Sequence, residues 1–372
     1  MVESVAANAG RPRLWTLDVI RGAAIVMVVL MHAYFDPPWW APASEAYPAR
    51  LAYFLGHTVV PLFFLISGFL FGREGHAPAR SLVRRKAAVI LVPALLWSAI
   101  AIAIRVHSLG LDPRQAAVDF LLLNAAGQFF YVFVLLGLFI VAMPVRRWEG
   151  RRLGLLALAC GAAGLLRTLA LERSWPTTDL GAIAAYRDPL LWSGYFLAGM
   201  AAARGRLRLP RADILLAGIA GVACIAAWFA RAHADGAYAN SYFSPFVYLF
   251  GWLLVLSAIP LLQRRDGDPP RLLRPLEWLG RHSFAIFLAH MPLFIGLVTD
   301  AWYPETAIDD YASRVLFRFS AGLLGPVALV LLANRVLPAG VARYAGFSGR
   351  SRVAKAAGPG PRRAPSHRPR EA

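Results

Sequence analysis

Residues 15 to 36 read WTLDVIRGAAIVMVVLMHAYFD. Nine consecutive residues, 23–31, carry no polar side chain, and the whole stretch is near the length that spans a bilayer, about 20 residues as a helix. Yet Asp18, Arg21, His32 and Asp36 interrupt its ends. At about 100° per residue these four fall within roughly 60° of the helix circumference, and Arg21 and His32 stand about 16 Å apart along the axis. The stretch therefore predicts a transmembrane helix with one polar stripe, which must face protein rather than lipid.

Nine further apolar blocks follow. Spans are expected at 17–35, 51–72, 88–106, 117–143, 153–171, 187–203, 212–230, 244–262, 277–298 and 313–336. The composition agrees: apolar residues make up 58% of the chain, charged residues 16% and the mean hydropathy is +0.53. An average soluble domain is about 25% charged. The fold class is accordingly all-α, a polytopic membrane protein with about ten transmembrane helices. Arg11 and Arg13 precede the first span as they would in a signal peptide, but Asp18 and Arg21 interrupt its start and nine spans follow, so it reads as an uncleaved helix.

The formal charge is +18, and Lys86 and Lys355 are the only lysines. A basic soluble chain would suggest nucleic acid; here the basic residues sit in alternate connections. Those at 73–87, 144–152, 204–211 and 263–275 hold 17 Lys/Arg, and the five between them hold 4. This bias predicts that both termini are cytoplasmic, with the lipid bilayer and not nucleic acid as the partner. Residues 1–13 read as a cytoplasmic segment, 14–336 as the membrane domain and 337–372 as a basic tail with little that can pack. Cys160 and Cys224 lie in separate apolar blocks and imply neither a disulfide framework nor a metal site.

Other polar groups mark the interior. In the fourth span Asn124, Gln128 and Tyr131 follow an i, i+4, i+7 spacing, which places them on one face of a continuous helix. Ser67 beside Gly68, and Ser283 with His290 seven residues on, recur in the second and ninth spans. Each group fits two readings, inter-helix hydrogen bonding or the lining of a substrate cavity. The loop at 73–87 carries Arg80, Arg84, Arg85 and Lys86, a topogenic cluster that would also suit the phosphates of a cytoplasmic donor such as coenzyme A. The sequence has no P-loop, dinucleotide turn, HExxH pair or GxSxG elbow.

Five blocks in order carry a resemblance. They are Leu17-Asp18-Val19-Ile20-Arg21-Gly22-Ala23-Ala24 with His32; Val60-Pro61-Leu62-Phe63-Phe64-Leu65-Ile66-Ser67-Gly68-Phe69-Leu70; Arg84-Arg85-Lys86 leading to Pro93 and Trp97; Gln128-Phe129-Phe130-Tyr131 with Gly137-Leu138; and Leu279-Gly280-Arg281-His282-Ser283-Phe284-Ala285-Ile286-Phe287-Leu288-Ala289-His290. Together they resemble the bacterial integral-membrane acyltransferase family called acyltransferase 3. Two departures stand out: Phe287 replaces the usual tyrosine, and Val89 and Ile90 stand where many members have a second arginine. Some members add an extracytoplasmic esterase-like domain; none is expected after the tenth span.

The resemblance implies a transferase of the bacterial cytoplasmic (inner) membrane. It would move an acyl group, commonly acetyl, from acyl-CoA to a hydroxyl of a saccharide, a lipid-linked glycan or another envelope or secreted acceptor, with no metal. The family's arginine and histidine fall on Arg21 and His32, with Asp18 beside them, and its basic loop on Arg84 and Arg85. His32 would act as general base. A transporter or flippase for a lipid-linked or small polar molecule, and a non-catalytic membrane partner of an envelope assembly, are the alternatives. The sequence leaves the oligomeric state open.

Overall fold

The computed structural model describes residues 14–34, 43–74, 78–174, 176–205, 211–234, 243–263, 268–298 and 310–347. Asp36, residues 1–13 and residues 348–372 lie outside the described residues. Among the described residues there is no strand.

In chain order the helices are α1 Trp15–Ala33, α2 Ala43–Arg73, α3 Ala79–Lys86, α4 Val92–Leu109, α5 Pro113–Leu121, α6 Phe130–Val141, α7 Gly150–Arg173, α8 Asp179–Tyr186, α9 Pro189–Ala202, α10 Arg211–Ala234, α11 Pro245–Leu262, α12 Arg274–Arg281, α13 Ser283–Ala289, α14 Tyr311–Val336 and α15 Ala339–Tyr344. Six helical stretches among the described residues are long and apolar enough to cross a membrane: 15–33, 50–73, 79–108, 150–173, 245–262 and 311–336. They correspond to the expected first, second, third, fifth, eighth and tenth spans. Leu158, Leu166, Leu216, Val222, Leu316 and Leu324 point outward from α7, α10 and α14, each around three-fifths exposed. Apolar faces of that extent suit lipid, not water.

Four expectations change. The fourth span is not one helix, because α5 ends at Leu121 and a short 3-10 turn at Gly127–Phe129 precedes α6. Leu123 takes φ +50° in the break, and Arg187 and Arg105 satisfy the carbonyls it frees: Arg187 donates to Leu122 O at 3.1 Å and Arg105 to Ala125 O at 3.3 Å. Irregular backbone at membrane depth needs such internal donors. The ninth span likewise turns at His282, between α12 and α13.

The basic cluster, expected in a loop, sits on α3. Its Leu82 is fully buried, and a π-turn at Ala87–Leu91 joins it to α4. Pro93 has no N–H to return to the preceding turn, which accounts for the local widening; Pro292 lies in the second π segment, His290–Val298. Finally, the start of the expected tail is packed. Trp97 Nε1 donates to Ala345 O at 3.0 Å, and Ala342 and Phe347 are buried, so residues 339–347 fold back onto α4.

Two reciprocal glycine contacts set the helix frame. A Cβ on Gly22 would run into the carbonyl oxygen of Leu276, and one on Gly280 into that of Asp18, so α1 and α12 meet backbone to backbone. Gly68 and Gly199 do the same for α2 and α9, against the carbonyls of Phe196 and Leu65. Small residues at crossings let transmembrane helices gain packing that the hydrophobic effect cannot supply inside lipid. α9 is central: residues 194–202 are all buried.

Candidate functional site

α1 and α2 lie side by side, with Met31 of α1 filling the space beside Gly56 of α2. His32 near the end of α1 faces His57 of α2, whereas Arg21 near its start is in reach of Tyr131, whose hydroxyl meets Ser67 further along α2, so the helices run in opposite directions. α6, α8, α12 and α13 complete a wall around a cavity of about 550 Å³. Arg21 and His32 both line it, so these two members of the α1 stripe face the interior.

At the Arg21 end stand Ser67, Tyr131 and Arg281. The Tyr131 hydroxyl reaches Phe63 O at 3.4 Å and lies 3.2 Å from Ser67 Oγ, so the two hydroxyls form one short chain. Arg21 is within coulombic reach of Tyr131 and of Lys86, which ties this end of the cavity to α3. Ile90, four residues beyond Lys86, is itself in the wall.

Around His32 are two more histidines. The ring of His290 packs against that of His32 with centroids 5.3 Å apart, and His57 faces His32 from α2. His290 Nδ1 lies 2.9 Å from Phe287 O and 3.1 Å from Ile286 O. Carbonyls only accept, so Nδ1 carries the proton and Nε2 is the bare nitrogen. By the same reasoning His57 Nδ1–H donates to Tyr53 O at 2.6 Å, and the Tyr53 ring packs against His57 at a tilt, 4.1 Å between centroids.

The far end holds Asn124, Gln128, Tyr186 and Arg187. Asn124 is outside any helix, yet it still meets Gln128 and Tyr131 on the same cavity. Asp119, almost fully buried, organises this end. It pairs with Arg105 at 2.7 Å and accepts from Asn124 Nδ2 at 3.1 Å, and that fixes Asn124 Oδ1 toward Arg187 at 3.3 Å.

The structure therefore gathers Arg21, His32, Ser67, Asn124, Gln128, Tyr131 and Ser283 around one space. It leaves the others outside. Asp18 is buried beneath α12, and His290 sits behind His32. Arg80 and Arg84 are exposed on α3, whereas Arg85 and Lys86 pair with Glu74 at 2.7 and 3.4 Å. His57, Arg187 and Arg281 line the cavity unforeseen. A histidine inside an apolar span was a signal for His57, as it had been for His32. Arg187 was readable as an arginine on the side where the connections carry few. Among the described residues no three His, Cys, Asp or Glu side chains group as a metal site.

Residues 14–334 match the family model described as an acyltransferase domain, acyltransferase 3. The chain belongs to the acyltransferase 3 family. The match spans every element of the cavity, so the acyltransferase 3 domain is the membrane bundle itself. Membership makes acyl transfer in a membrane the activity of this chain, and gives the transporter alternative no support. No curated protein and no solved structure matches the chain.

Proposed function

We propose that this acyltransferase takes its acyl group, in the first place acetyl, from cytoplasmic acyl-CoA and delivers it to a hydroxyl of a saccharide, a lipid-linked glycan or another envelope or secreted molecule. It works in the inner membrane of a bacterium, with ten crossings and both termini cytoplasmic. One observation carries the reading: Arg21 and His32 face the same cavity from one helix, about 16 Å apart along its axis. That separation puts a cationic group at one end and an imidazole deep inside.

The phosphates of the donor dock on Arg80 and Arg84, and the pantetheine arm enters beside Arg21. At His32 the imidazole takes the acceptor's hydroxyl proton as the oxygen bonds to the thioester carbonyl carbon. The C–S bond breaks, and the departing thiolate takes the proton back from the imidazolium. Imidazole suits both steps because its ordinary pKa of about 6.5 lies near neutrality. Ser67 and Tyr131 supply hydroxyls along the arm's path.

The test is radiolabelled acetyl-CoA given to membranes that hold wild type or His32→Ala. Label in an envelope or glycan fraction that depends on His32 supports the reading and identifies the acceptor by fractionation. Equal labelling by both, at equal expression, removes His32 from the reaction.

A further inference from the structure

The cavity wall contains three arginines, Arg21, Arg187 and Arg281, and among its described residues no carboxylate. Arg281 is neutralised by Glu277, one turn back on α12. Arg187 is not neutralised in that way. Its guanidinium donates to Ile183 O at 3.0 Å, to Leu122 O at 3.1 Å and to Asn124 Oδ1 at 3.3 Å, all neutral acceptors. It also lies over the Phe133 ring, 5.4 Å from the centroid.

The nearest carboxylate is already committed. Asp119 Oδ2 is held by Arg105 at 2.7 Å, while Asp119 Oδ1 accepts from Gln115 at 2.9 Å and Asn124 at 3.1 Å. One carboxylate thus stands against two guanidiniums, which leaves one positive charge at this end of the cavity. Arg187 Nε is buried with no hydrogen-bond partner among the described residues.

Gln128 gives a second, independent observation. It lines the cavity four residues beyond Asn124, in the 3-10 turn, is only 4% exposed, and neither its Nε2 nor its Oε1 has a partner among the described residues. A buried amide left unpaired at both atoms costs free energy that a bound ligand would recover.

We infer that Arg187 and Gln128 form an oxyanion subsite at the end of the cavity remote from Arg21, and that the acceptor is an anionic hydroxyl compound held there by a carboxylate or a phosphate. The assignment to the acceptor, as opposed to any other ligand, rests on the acyltransferase reading above. Arg187 meets one oxygen with its guanidinium, which Ile183 O, Leu122 O and Asn124 Oδ1 hold at the cavity wall. The Gln128 amide donates to a second or accepts from a neighbouring hydroxyl. Guanidinium is suited to both carboxylate and phosphate, so the geometry specifies the charge and leaves the choice between those sources to experiment.

The experiment is equilibrium dialysis of the full-length protein in nanodiscs against radiolabelled glucose, glucuronate and glucose 6-phosphate. No acyl donor is present, so the result does not depend on whether transfer occurs. At least one anion should bind ten times or more tightly than glucose, and which one does distinguishes the carboxylate from the phosphate. Arg187→Gln should bring that anion to the level of glucose, and Arg187→Lys should retain part of the preference. Because Arg187 also ties down the α5–α6 break, Gln128→Ala is the companion variant. It removes no side-chain hydrogen bond among the described residues and should still weaken anion binding several-fold. Equal binding of all three sugars, no binding of either anion, or a preference that survives both Arg187→Gln and Gln128→Ala overturns the subsite. The His32 labelling experiment judges the acyltransferase reading separately.

Discussion

His32 and His290 pack ring against ring, 5.3 Å between centroids, and only His32 borders the cavity. The carbonyls of Ile286 and Phe287 hold the Nδ1–H of His290, and its Nε2 has no hydrogen-bond partner among the described residues. One histidine is thus placed to meet ligand, while the other is anchored behind it. The two should respond differently to substitution.

His32→Ala should lower the turnover number by about 10²–10⁴, or roughly 3–5 kcal/mol of barrier, because it removes a general base. Expression and thermal stability should stay near wild type, since His32 makes no hydrogen bond among the described residues comparable to those of His290. Single-turnover transfer from labelled acetyl-CoA measures the loss. A normal rate would rule out the base role.

His290→Phe preserves the ring contact but deletes both nitrogens. If His290 only positions His32, the turnover number should fall by about tenfold with KM for acyl-CoA unchanged, and the pH profile should move as the neighbour of the base changes. A loss as deep as that of His32→Ala would mean that His290 itself handles the proton.

The Arg21 to His32 stripe was legible because polar residues inside an apolar run need a reason, and the helical period put them on one side. Most spans were legible for the same reason. What composition could not reveal was how apolar stretches break. Residues 117–143 look continuous because the interruption at Leu122–Ala126 is written in two leucines, an asparagine and two alanines, with no glycine or proline, and its support comes from Arg105 and Arg187, 20 and 65 residues away in sequence. The packing of Phe347 against Trp97 was hidden similarly, by a contact between residues 250 positions apart in a segment that otherwise reads as tail.

The reciprocal glycines yield a stability prediction with an internal control. Gly280→Ala drives a methyl into the Asp18 carbonyl and must push α12 off α1. It should cost about 1–3 kcal/mol, as overpacking does, and lower the melting temperature in detergent. Gly154→Ala, in α7 with nothing within 4 Å of the added carbon, should be neutral or stabilise by up to about 1 kcal/mol through helix propensity. Equal melting temperatures for the two variants would contradict the close α1–α12 approach.

α3 allows the donor end to be tested apart from the chemistry. Leu82 anchors it to the core, Glu74 occupies Arg85 and Lys86, and Arg80 and Arg84 remain exposed. Removing both exposed arginines (Arg80→Ala with Arg84→Ala) should raise KM for acyl-CoA about fivefold, roughly 1 kcal/mol, because exposed ion pairs are individually weak. The turnover number should hold, since neither residue lines the cavity. The effect should also fade between low and moderate salt as the charges are screened. Initial rates across a donor titration at two ionic strengths measure both quantities. A KM that does not move would shift the phosphate contact from α3 to Arg21 and Arg281, two arginines of the cavity wall.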